Sequence, residues 1–141
     1  HTPDSLEKVY LNLKSGTKKL ICVLGSAGGG RDKWKRPRMG EIASRYCDKL
    51  ILTNEDPYDE NPEKIISEIK SGILKEEFLR DEVFENLDRE QAIKKAIELA
   101  GADDVVVITG KGSEQYIRVA AGKKIPWSDR EVALKTLENL K

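Results

Sequence analysis

Four glycines, Gly25, Gly28, Gly29 and Gly30, lead directly into a run of lysines and arginines from Arg31 to Arg38. The stretch reads V-L-G-S-A-G-G-G-R-D-K-W-K-R-P-R-M-G. Glycine has no Cβ and tolerates positive φ, so such a loop can fold back sharply and bring backbone close to a ligand. Arg31, Arg36 and Arg38 can each grip a carboxylate or phosphate with paired donors. The expected chemistry is anion handling at the end of a strand. The competing reading is a glycine turn followed by a solvated basic stretch, since G-x-x-G-G-G matches neither the Walker nor the dinucleotide pattern.

Two further loops carry groups of the opposite kind. Asn54 to Pro62 reads N-E-D-P-Y-D-E-N-P, with Glu55, Asp56, Asp59 and Glu60, and Gly110-Lys111-Gly112-Ser113-Glu114 combines glycines with one cation and one acid. Together the three loops could hold a zwitterion, with Arg31 on its carboxylate and the acids on its amine.

The elements that would position them follow from periodicity. Thr2 and Pro3 read as the cap and first turn of a helix carrying Leu6, Val9, Tyr10 and Leu13, stopped by Ser15-Gly16. Lys19 to Leu24 is an apolar run of the kind parallel sheets bury on both faces. Met39 to Tyr46 reads as a helix, Lys49 to Thr53 as a second strand, and Pro62 as the start of a helix carrying Ile65, Ile66 and Ile69, ended by Gly72. Asp81 to Glu85 is a short strand. Asp88 caps a helix from Arg89 to Ala100, with Ala92, Ile93, Ala96, Ile97 and Ala100 inward. Asp104 to Thr109 is the third strong strand. Tyr116 to Val119 pairs with Lys124 to Trp127 as a hairpin, and Ser128 caps a last helix, Asp129 to Leu140, with Val132, Leu134 and Leu137 available to pack. Strands and helices alternate on short links, so the class is α/β with a mostly parallel sheet and a C-terminal hairpin. Each of the three loops then follows a parallel strand, where ligands of open α/β sheets bind.

Composition narrows the function classes. A chain of 141 residues has the size of one domain. Its 25 basic and 25 acidic residues cancel, so no global field recruits nucleic acid or an anionic membrane. No apolar run reaches the roughly 20 residues that span a bilayer, and no signal peptide opens the chain, so a cytoplasmic location is expected. Cys22 and Cys47 have no metal-type spacing and read as reduced core residues. The single histidine, His1, argues against zinc chemistry or a Ser-His-Asp triad. A start at His-Thr-Pro-Asp, without methionine, reads as a piece of a longer protein.

The succession H-T-P-D-S-L-E, the glycine and basic stretch, T-N-E-D-P, G-K-G-S-E-Q-Y and W-S-D-R-E-V-A resembles, over the whole of residues 1–141, the carboxy-terminal domain of the Mur ligases. The similarity is greatest to the MurE class, which adds the third amino acid to UDP-N-acetylmuramoyl-dipeptide in peptidoglycan synthesis. The resemblance implies a Rossmann-like three-layer domain that brings the incoming amino acid. It also implies partners absent from this chain: an amino-terminal domain for the UDP-sugar and a central ATPase holding ATP and Mg2+. The substrate carboxylate becomes an acyl phosphate, which the amine attacks. Arg31 corresponds to the arginine on the amino acid's carboxylate, Gly110 and Glu114 to contacts with its far end, and His1 to a linker histidine near the nucleotide. The domain alone, lacking G-x-x-x-x-G-K-[ST], is expected to be inactive and to hold no metal. A monomer is expected, acting on small molecules.

This sequence departs from the pattern at one informative place. Enzymes adding meso-diaminopimelate typically read D-N-P-R in the second loop, and here the stretch is Glu55-Asp56-Pro57-Tyr58. Tyrosine lacks the guanidinium's charge and paired donors, whereas Glu55, Asp56 and Glu114 suit a distal ammonium. L-Lysine or L-ornithine is therefore the expected amino acid. Ser113, in place of the family's histidine, and Trp34 are further departures. Two other readings stand beside this one: a stand-alone module that binds a nucleotide or amino acid without turnover, and a related ligase of the folate or cyanophycin kind.

Overall fold

The computed structural model describes residues 2–14, 19–30, 33–74, 82–111 and 114–140. The first helix, α1 (Pro3–Lys14), is capped by Thr2, whose hydroxyl accepts the Ser5 N–H. It buries Leu6 and Tyr10 but leaves Val9 exposed, so its inward stripe is narrower than the periodicity suggests. The expected Ser15-Gly16 stop lies outside the described residues. Strand β1 (Leu20–Leu24) follows, and every one of its five residues is fully buried.

Helix α2 (Lys35–Tyr46) begins inside the basic run rather than at Met39. Pro37 stands in its first turn, where proline is tolerated. Next come β2 (Lys49–Leu52), α3 (Pro62–Lys70), β3 (Val83–Glu85), α4 (Arg89–Leu99) and β4 (Val105–Ile108). The caps at Asn61, Asp88 and Ser128 each accept a backbone N–H two or three residues on. The chain closes with the antiparallel hairpin β5 (Tyr116–Arg118) and β6 (Lys124–Pro126), then α5 (Asp129–Asn139).

The four parallel strands lie in the order β3-β2-β1-β4. From β1 the chain moves outward to β2 and β3, then returns through α4 to place β4 on the other side of β1. That reversal is the topological switch point of a doubly wound fold. The all-apolar strand β1 alternates its side chains between two cores. Leu20, Cys22 and Leu24 pack beneath α1, α2 and α3, while Ile21 and Val23 pack against α4 with Val132 and Ala133 of α5. Three layers result. Leu134 and Leu137, expected to pack, remain about half exposed.

The cysteine reading needs correction. Cys22 in β1 and Cys47 just after α2 are joined by a disulfide, with Cα atoms 6.1 Å apart. The last turn of α2 sits over the face of β1 that Cys22 points to, an adjacency that 25 residues of sequence separation conceal. The cysteines therefore give no argument for a reducing compartment.

Candidate functional site

Strands β2 and β4 flank β1 in parallel, so the loops that follow the three strands meet at the carboxyl end of the sheet. The first two loops are bonded by their backbones. Gly28 donates its N–H to the Asp56 carbonyl at 2.6 Å, and a Cβ at Gly28 would lie 2.0 Å from the Pro57 carbonyl oxygen. Only glycine permits that approach.

Arg36 completes the junction, though not as expected. Its side chain is fully buried and donates to Glu60 Oε2 at 2.6 Å, Glu68 Oε2 at 2.7 Å and the Ala27 carbonyl at 3.0 Å. This guanidinium therefore belongs to the architecture instead of gripping a ligand anion, and Arg38 is engaged with Glu41 at 3.2 Å. Arg36 in turn holds the Glu60 carboxyl down at about 2. The reason is positional: α2 starts early, which turns Arg36 inward beneath the loop.

The second and third loops are joined by Lys111. Its ammonium is buried and donates to both Asp56 oxygens at 2.8 Å and to Glu114 Oε2 at 2.6 Å. Burial alone would pull the Lys111 ammonium down, yet Asp56 and Glu114 together hold it above the usual lysine range. Asp56 Oδ1 also accepts the Arg118 N–H at 2.7 Å, and the Arg118 carbonyl accepts the Tyr58 N–H at 3.2 Å. Ala121 N–H reaches Asp59 Oδ1 at 2.9 Å. The hairpin thus clasps the acidic loop from outside.

Glu55 is the acid that remains. It is buried, and among the described residues its Oε2 has no hydrogen-bond partner. It lies against Gly110, where φ is +106° and a Cβ would come within 2.5 Å of Oε2. Burial pushes the Glu55 carboxyl up to about 7, with Arg89 pulling it back most strongly. Tyr58 occupies the left-handed region at φ 54° and sets its ring beside Gly29.

The structure therefore brings together five expected residues: Glu55, Asp56, Tyr58, Gly110 and Glu114. Arg31, His1 and Ser113 lie outside the described residues. The expectation that three acids await an ammonium is narrowed, because Asp56 and Glu114 already carry Lys111. Among the described residues no group of three or more His, Cys, Asp or Glu is placed to hold a metal, and no helix is long and apolar enough to cross a membrane.

Sequence reasoning missed Lys111 as a link, and it also missed Arg89. The latter is the first residue of α4, is buried, and bonds to the ends of two site loops. The signals were faint: a cation between two acid-bearing loops, and an arginine directly after an aspartate cap.

Comparison with known proteins gives a consistent picture. Residues 1–112 match the family model described as "Mur ligase, glutamate ligase domain". A protein of Aquifex aeolicus, named UDP-N-acetylmuramoyl-L-alanyl-D-glutamate--2,6-diaminopimelate ligase, is 47% identical over 138 residues, covering 97% of this chain and 27% of its own length. A Clostridium acetobutylicum protein of the same name, numbered 1, is 43% identical over 141 residues, 99% of this chain and 28% of its own. A solved structure of a ligase so named superposes with a TM-score of 0.89 at 35% identity, covering 99% of this chain and 28% of that one. The chain thus spans little more than a quarter of the length of these relatives.

Proposed function

Because the chain belongs to the Mur ligase glutamate ligase domain family, we propose that it is the amino-acid-presenting domain of an ATP-dependent ligase that adds the third residue to UDP-N-acetylmuramoyl-dipeptide. The observation that carries this reading is the junction of three loops at the switch point, lined by Glu55, Asp56, Gly110, Lys111 and Glu114. In this reading Arg31 takes the α-carboxylate of the incoming amino acid and the acidic end takes its distal ammonium. The dipeptide carboxylate becomes an acyl phosphate with release of ADP. The amine then attacks the acyl carbon, and phosphate leaves. In this reading Mg2+ and the ATP phosphates are held by a central domain, with His1 near the nucleotide. The whole ligase acts as a cytoplasmic monomer.

Tyr58 favours L-lysine or L-ornithine as the amino acid. The aromatic ring stands where diaminopimelate enzymes typically carry arginine, and it offers no paired donors to a distal carboxylate. Glu55, whose Oε2 lacks a partner among the described residues, is the acid best placed for the ammonium. The relatives' names favour a second reading, diaminopimelate, which carries the same ammonium together with a carboxylate.

The test is Arg31→Ala in the full-length ligase. The amino-acid KM should rise at least tenfold while the KM for the UDP-sugar dipeptide stays within about twofold, in keeping with loss of a charge-assisted contact. Equal rises in both constants would remove Arg31 from the role.

A further inference from the structure

Arg89 is the first residue of α4, and its guanidinium is bonded to both flanks of the site. Nη1 donates to the Asn54 carbonyl at 2.8 Å, immediately before Glu55 in the second loop. Nη2 donates to the Thr109 carbonyl at 2.9 Å, immediately before Gly110 in the third. The remaining donors form a buried pair with Asp129: Nε to Oδ1 at 2.8 Å and Nη2 to Oδ2 at 2.9 Å. Asp129 Oδ1 also accepts the Trp127 indole N–H at 2.6 Å. Trp127 donates its backbone N–H to the Gln115 carbonyl at 2.8 Å, just after Glu114. One hydrogen-bonded unit therefore fixes the start of the second loop and both ends of the third.

We propose that Arg89, oriented by Asp129, is a positioning residue that sets the separation of the two loops binding the far end of the incoming amino acid. The inference rests on the ligase reading above. Its physical basis is the planar guanidinium fork. Three nitrogens in fixed geometry serve four acceptors on three different segments, which the single ammonium of lysine cannot do. The site needs that precision, since Glu55 Oε2 lies only 2.5 Å from where a Gly110 Cβ would be, too close for any side chain there. A displacement of about 1 Å in substrate-positioning groups costs on the order of 100-fold in kcat/KM, and at loops that only hold the far end of the amino acid the loss falls on its KM.

The test uses the full-length ligase with Arg89→Lys and, separately, Asp129→Asn. Steady-state constants are measured for all three substrates, and thermal melts record folding. The expected result for each variant is an amino-acid KM raised about 10- to 100-fold, with the KM values for ATP and the UDP-sugar dipeptide changed less than about threefold. A purely structural role would lower the active fraction, reducing kcat while leaving every KM in place, and that pattern would overturn the proposal. So would no effect at all. If Arg89→Lys does not fold, Asp129→Asn decides by the same criterion. If the unaltered ligase releases no phosphate in response to any amino acid, the ligase reading falls first and this inference with it.

Discussion

The Lys111 ammonium sits on both carboxylate oxygens of Asp56 at 2.8 Å, and the two residues belong to loops that follow non-adjacent strands, β4 and β2. The pair is buried and further satisfied by Glu114 and the Arg118 N–H. It does for the acidic half of the site what Arg36 and Glu60 do for the cationic half, converting adjacent loops into one surface.

Removing one partner should therefore cost much more than a surface ion pair would. Lys111→Met leaves Asp56 buried without its cation, and such changes typically cost about 3–5 kcal/mol. Chemical denaturation of the 141-residue chain should show a loss of that order, whereas a loss below about 1 kcal/mol, the surface-pair range, would mean that the pair is not buried in solution.

Glu55 gives a pH signature. Its carboxyl is raised to about 7 by burial, lowered by Arg89 and Lys111, and raised by Asp56 and Glu114. A folded-state value above the unfolded one means that the fold prefers the protonated form. That stabilisation is complete below the ordinary carboxylate range and is lost as pH rises through 7. Glu55→Gln, which mimics the protonated form, should be close to wild type at pH 5 and more stable at pH 8, by at most about 3 kcal/mol. Melting curves that differ equally at both pH values would contradict the buried carboxyl.

Gly110 should not tolerate a side chain. Alanine there would meet Glu55 Oε2 at 2.5 Å and adopt φ +106°, a conformation costing roughly 1–3 kcal/mol for a non-glycine residue. Gly110→Ala in the full-length ligase should raise the amino-acid KM about tenfold, as expected when a binding loop is displaced, and leave the ATP KM unchanged. An unchanged amino-acid KM would mean that the Glu55 to Gly110 contact lies outside the binding surface.

Tyr58 carries the specificity prediction. Tyr58→Arg introduces a guanidinium with paired donors for a distal carboxylate, and it should raise the use of diaminopimelate relative to lysine. Competition between the two amino acids, read as a product ratio, measures it. A ratio that does not move would end the role given to Tyr58.

Where the sequence was legible, one physical signal dominated. β1 is apolar at every position because it is buried on both faces, and α4 shows an uninterrupted stripe from Ala92 to Ile97. The three loops were legible as well, since alternating strands and helices imply a parallel sheet and the loops after its strands carry the chemistry. Long cations were not. Arg36 read as a ligand-gripping cation, Lys111 as the cation of a loop and Arg89 only as the start of a helix, and the fold reveals that each is buried with acceptors drawn from distant segments. The basic run also concealed the start of α2, and the facing thiols of Cys22 and Cys47 depend on how that helix lies on β1.

The most direct measurement is phosphate release by the purified full-length ligase supplied with ATP, Mg2+ and UDP-N-acetylmuramoyl-dipeptide, with lysine, ornithine or diaminopimelate added in turn. Release should require an amino acid bearing a distal ammonium and yield one tripeptide product per phosphate. Release that is independent of any amino acid, or no release with all three, would contradict the ligase reading.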